Sequence, residues 1–93
     1  MFDAKRIGQA IGRQAFEQIQ ASSLPKNETM TLLQIWTESS QAKLKALAES
    51  GQLLPILSRQ HRTALDEACE LRVSSPHLTQ TECLRSAGLP LVL

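Results

Sequence analysis

The chain has 93 residues, with ten basic and nine acidic side chains and a net charge of +1. That is enough for one domain with a modest core, and the charge gives no broad phosphate-binding surface. Hydrophobic residues make up 42%, aromatics 3%, and Tyr is absent, a composition rich in Leu, Ala, Gln and Ser that favours helices and disfavours sheets.

The first predicted helix runs from about Asp3 to Ala21. Ala4, Ile7, Gly8, Ile11, Gly12, Ala15, Phe16 and Ile19 share one side, with Arg6, Gln9, Arg13, Glu17 and Gln20 opposite. Arg13 is one turn from Glu17 and is expected to pair with it. Each helical glycine costs about 1 kcal/mol relative to Ala, so Gly8 and Gly12 imply a return in close packing. Two contacts would supply it: a neighbouring helix of the same chain, or a second copy across a dimer.

"SSLPKN" ends that segment, and a second helix is predicted from about Glu28 to Ser50, with Gly51 as its C-terminal cap. Met30, Leu33, Trp36, Ser40, Leu44 and Leu47 form one stripe, and Leu32, Ile35, Ala42 and Ala46 form a second beside it. A helix apolar on two sides needs neighbours on both, which places this one centrally. Trp36 has two readings, a core anchor or an interface hot spot. The pair Ser39-Ser40 falls inside the helix, where small side chains let another helix come near.

The third helix is predicted from about Pro55 to Val73, with Pro55 suited to the first turn. Leu57, His61, Ala64, Leu65, Ala68, Cys69 and Leu71 face inward, while Arg62, Asp66 and Glu70 line the solvated side. His61 is expected to be a neutral core histidine, since no partner acid or nucleophile stands at a telling spacing.

The fourth helix lies within "LTQTECLRSAGLP" (78–90). Thr79 with Glu82 spells a capping box, Leu78 with Cys83 a hydrophobic staple, and Gly88 a left-handed terminator. Its cadence resembles the first helix of a helix-turn-helix. Only Leu89, Pro90, Leu91, Val92 and Leu93 follow the turn, however, and no major-groove reader can be built from them. The apolar tail must therefore dock somewhere.

The expected fold is all-α: a bundle of three longer helices plus a short C-terminal one, forming a single domain over 1–93. No motif carries chemistry. His61, Cys69, His77 and Cys83 are separated by 8, 8 and 6 residues, without the close pairs of a zinc site. The nine serines fall mostly in pairs, and the four glycines form no phosphate loop. The sequence thus implies no catalytic residue, metal or cofactor. The Asn27-Glu28-Thr29 sequon matters only after secretion. With no leader-like apolar run and two unpaired-looking cysteines, the chain is expected to be cytoplasmic, non-enzymatic and without a membrane span.

The leading functional expectation is a protein-interaction module, an adaptor, inhibitor or regulatory subunit working through a helical surface as a homodimer. Gly8, Gly12, Phe16, Trp36, Leu91, Val92 and Leu93 are its candidate surface. The alternative is a nucleic-acid-associated regulator using a basic edge formed by Lys5, Arg6 and Arg13.

Overall fold

A computed structural model describes residues 4–93; the expected start at Asp3 lies outside them. Among the described residues all regular structure is helical, in seven α-helices. They are α1 (Ala4–Ile11), α2 (Arg13–Gln20), α3 (Lys26–Ser39), α4 (Gln41–Glu49), α5 (Leu53–Pro55), α6 (Arg62–Ser74) and α7 (Gln80–Ser86). A π-helical stretch, Ile56–Gln60, continues from α5. The three long helices expected from sequence are each interrupted, and each interruption has a physical cause.

The first break falls at Gly12, whose φ of 88° and ψ of 154° belong to a region essentially reserved for glycine. Its amide donates to Gly8 O at 2.9 Å, closing α1, and its carbonyl accepts from Phe16 N at 3.1 Å, opening α2. A Cβ at Gly12 would meet nothing within 4 Å. This glycine therefore serves to turn the chain, not to admit a neighbour. The turn lets Ile7, Ile11 and Ile19 all be buried, with Phe16 packed beside them.

The second break is at Ser40 (φ −147°, ψ 46°). Two hydroxyls in the last turns of α3 bond back to the helix carbonyls, Thr37 Oγ1 to Leu33 O at 2.7 Å and Ser39 Oγ to Ile35 O at 2.8 Å. Such back-bonding competes with the backbone ladder and bends helices. The α3 half of the predicted helix is central, packing on α1, α4, α6 and α7. Its Met30, Leu32, Leu33 and Trp36 are fully buried. The α4 half is not: Leu44 is buried, but Ala42 and Ala46 are exposed.

The third break is at His61. Pro55 occupies the first turn as expected, but His61 N reaches back five residues to Ile56 O at 3.3 Å. One extra residue in the turn re-phases the helix, and Leu57 and Leu65 are both fully buried across it.

Two helix ends follow the sequence signals. α4 closes through Gly51 (φ 75°), with Gly51 N on Ala48 O and Gln52 N on Leu47 O at 3.2 and 3.0 Å. α7 closes the same way through Gly88 (φ 87°), Leu89 N reaching Leu84 O at 3.1 Å. This is the double bond of a Schellman cap. At the start of α7, Glu82 N donates to Thr79 Oγ1 at 3.1 Å and Thr79 N to Glu82 Oε1 at 3.2 Å. That bonding holds the Glu82 carboxyl below its usual pKa.

An ion pair with a buried acid ties α3 to α6. Glu28, in the first turn of α3, is buried and accepts from Arg72 Nε near the end of α6. The carboxylate raises the Arg72 pKa above its ordinary value, first through the hydrogen bond and then through its charge. The neighbouring Thr29 hydroxyl is buried with no hydrogen-bond partner among the described residues.

Candidate interaction surface

The residues proposed from sequence divide into two groups. Gly8, Gly12 and Phe16 meet at the α1–α2 elbow. A methyl group at Gly8 would lie 3.9 Å from Phe16 Cγ, an ordinary van der Waals distance. Gly8 and Gly12 therefore do not form a close contact between helices of this chain. Beside the elbow, the end of α4 leaves an open groove of about 460 Å3, bordered by Ile11, Gly12, Arg13, Ala15, Ala48 and Gly51.

Trp36, Leu91, Val92 and Leu93 converge on the break between α3 and α4. Trp36 is fully buried, so it is a core residue and offers no surface to a partner. Its ring and that of His61 meet in a T-shaped, edge-to-face arrangement, with centroids 6.0 Å apart at 64°. Its indole Nε1 donates to Pro90 O at 2.8 Å. This is the usual fate of a buried Trp, an apolar body with a satisfied N–H. Partial burial lowers the His61 pKa, favouring the neutral ring.

Pro90 is the first residue of a tail docked on the helices. Ser39 Oγ, whose one proton is shared between Ile35 O and Leu91 O, lies 2.8 Å from the latter, Ser40 Oγ accepts from Leu93 N at 2.9 Å, and Lys43 Nζ donates to Leu93 O at 3.0 Å. Every bond from the helices is to the tail's main chain. Leu91 and Leu93 pack against the core while Val92 between them is 64% exposed. The tail's docking place is thus the α3–α4 break itself. The serine pair, expected to admit another helix, admits the C-terminal tail.

Beside Leu93 the surface of α4 is apolar. Lys43, Ala46, Leu47, Ser50, Gln52 and Leu93 border an open groove of about 550 Å3 running along α4. Lys43 is the one ionisable side chain in that lining, and it offers no acid–base pair. Ser39, Ser40 and Lys43 were not among the sequence candidates. The legible signal was the mid-helix serine pair, whose hydroxyls had to find partners.

The basic edge is largely neutralised by its surroundings. Arg6 faces Glu38 of α3 at 3.6 Å, and Arg13 pairs with Glu17 at 3.0 Å as the one-turn spacing implies. Lys5 is exposed on α1. Among the described residues no three His, Cys, Asp or Glu side chains are grouped to hold a metal, and both cysteines are free thiols. No helix there is long and apolar enough to cross a membrane. Comparison of the chain with protein-family models, with curated proteins and with solved structures finds no match in any of the three.

Proposed function

We propose that this chain is a non-enzymatic protein-interaction module, a small adaptor, inhibitor or regulatory subunit that acts by covering a partner's working surface. The observation that carries the reading is the apolar groove along α4, continuous with the docked tail and lacking any pair of groups suited to catalysis. Exposed Val73 and Val92 add apolar surface outside the core, 73% and 64% accessible. Apolar area left facing water on so small a domain is the common mark of a binding surface.

The module is proposed to act as a homodimer, which would cover part of this surface. Light scattering across micromolar concentrations tests that: a constant mass near 10.3 kDa removes the dimer. Affinity purification on the immobilised chain, with identification of the retained protein, tests the module itself. Recovery of one protein at fixed stoichiometry is expected, and salt-dependent retention of nucleic acid instead would overturn it.

A further inference from the structure

α1 and α2 are joined by a single residue, and the sequence writes them as one helix. Ile7, Ile11, Ala15 and Ile19 follow at four-residue steps along one stripe, yet Gly12 turns the chain between them. Two helical bonds touch the elbow, Gly12 N to Gly8 O and Phe16 N to Gly12 O. The three between them in a continuous helix, from the amides of Arg13, Gln14 and Ala15 to the carbonyls of Gln9, Ala10 and Ile11, are not formed. Nothing at Gly12 holds the turn either, since a Cβ there meets no atom within 4 Å and the groove beside it is open. The elbow is kept closed by the docking of α1, which packs on α3 and α4 and buries Ile7, Ala10 and Ile11.

We infer that the homodimer forms by exchange of α1: residues 4–20 straighten into one helix at Gly12, and α1 of each copy fills the slot on α3 and α4 of the other. This deepens the homodimer reading and rests on it. Within one chain, straightening strips either α1 or Ile19 and Phe16 from the core. Between two copies it strips neither, because α2 stays docked at home while α1 docks abroad. A surface shaped for α1 in one chain fits the identical segment of a second. Phe16, which lies against Gly8 of its own chain, then lies against Gly8 of the second copy. Each chain gains the three helical bonds forgone at the elbow, and the loss of independent motion on association is set against them.

Handedness at residue 12 sets the direction of the test, with the dimer Kd read by light scattering on dilution. An L-side chain strains the elbow and not the straight helix. Gly12→Ala should therefore lower Kd on the order of a hundredfold, about tenfold for each of two relieved elbows. D-alanine at position 12 suits positive φ and opposes a right-handed helix, and should raise Kd by a comparable factor. Gly8→Ala adds propensity inside α1, which is helical in both forms, and should leave Kd within about twofold. Exchange itself is read through the Arg6–Glu38 contact between α1 and α3, 3.6 Å long. In the Arg6→Lys chain, carbodiimide joins position 6 to Glu38 after unlabelled and heavy-nitrogen chains are refolded together. Linked peptides pairing one light half with one heavy half are expected. Should Gly12→Ala not fold, the D-alanine chain and the cross-link decide. A dimer whose Kd is the same with Gly, L-alanine or D-alanine at 12, or whose links join only halves of one label, overturns the exchange and leaves the homodimer standing. A parent chain monomeric at every concentration overturns both.

Discussion

Gly8 and Gly12 stand one turn apart in the sequence, yet substitution by alanine should move stability in opposite directions. At Gly12 a side chain meets no atom within 4 Å, so the whole effect is conformational. An L-residue held at φ 88°, ψ 154° carries strain of about 1–3 kcal/mol. The chain's escape from that strain is to fuse α1 and α2 into one straight helix, which gains about 1 kcal/mol of propensity. Straightening would lift Ile19, 3% exposed, and Phe16 off the core, and a buried isoleucine alone is worth roughly 1.5–3 kcal/mol. Neither route avoids a loss, and Gly12→Ala is expected to destabilise by about 1–3 kcal/mol, set by the cheaper of the two.

Gly8 is helical, and its added methyl would sit at ordinary contact distance from Phe16. Gly8→Ala should therefore stabilise by about 0.5–1 kcal/mol, from helix propensity and a less mobile unfolded chain. Urea unfolding followed by Trp36 fluorescence and far-ultraviolet circular dichroism measures both. With a slope of about 1–2 kcal/mol per molar, the two midpoints should lie on opposite sides of the parent and differ by roughly 1–2 M. D-alanine at position 12, which favours positive φ, should recover most of the loss. An L-alanine variant at 12 as stable as the parent refutes the argument, because the elbow would then not depend on glycine's conformational freedom.

Other perturbations probe the remaining contacts. Arg72→Met leaves the Glu28 carboxylate buried without its cation and should lower the urea midpoint, by less than the loss of a fully buried pair because Arg72 is partly exposed. In a double-mutant cycle, Glu28→Gln should then recover part of that loss. Thr29→Val removes a buried hydroxyl that has no partner among the described residues and should raise stability by about 1 kcal/mol on thermal unfolding. Thr79→Ala breaks the capping box and should cost about 0.5–2 kcal/mol, with faster amide exchange in α7. For pH, the folded His61 pKa lies below the ordinary 6.5. The unfolded chain thus binds the proton first, so stability is full above that value and falls as pH drops through it. His61→Asn should flatten this limb. Glu82, whose pKa is also lowered, contributes stability above the ordinary 4.5 that is lost on further acidification; Glu82→Gln should remove that second limb.

The sequence by itself determined the helical class and the ends whose chemistry is local. The capping box of Thr79 and Glu82, the terminators at Gly51 and Gly88, and the Arg13–Glu17 pair all act over six residues or fewer, so their partners sit in the same short window. Most of the apolar positions read from periodicity are buried as well, including Ile7, Ile11, Leu33, Leu44, Leu57 and Leu65. What periodicity could not show is where a continuous pattern is folded back on itself. Ser40 and His61 are acceptable helix residues, and Gly12 is a tolerated one, so nothing within a few residues demanded a break. The breaks are settled by what the fold brings near: Ile19 returning to the core beneath α1, Trp36 in a T-shaped contact with His61, and a tail fifty residues downstream whose backbone groups bond to Ser39, Ser40 and Lys43. The Glu28–Arg72 pair spans 44 residues and left no trace in local pattern. Local bonds are legible because the chain itself holds their partners close; the tail's docking place exists only once α3 and α4 have packed and the Ser39 and Ser40 hydroxyls face the tail's backbone.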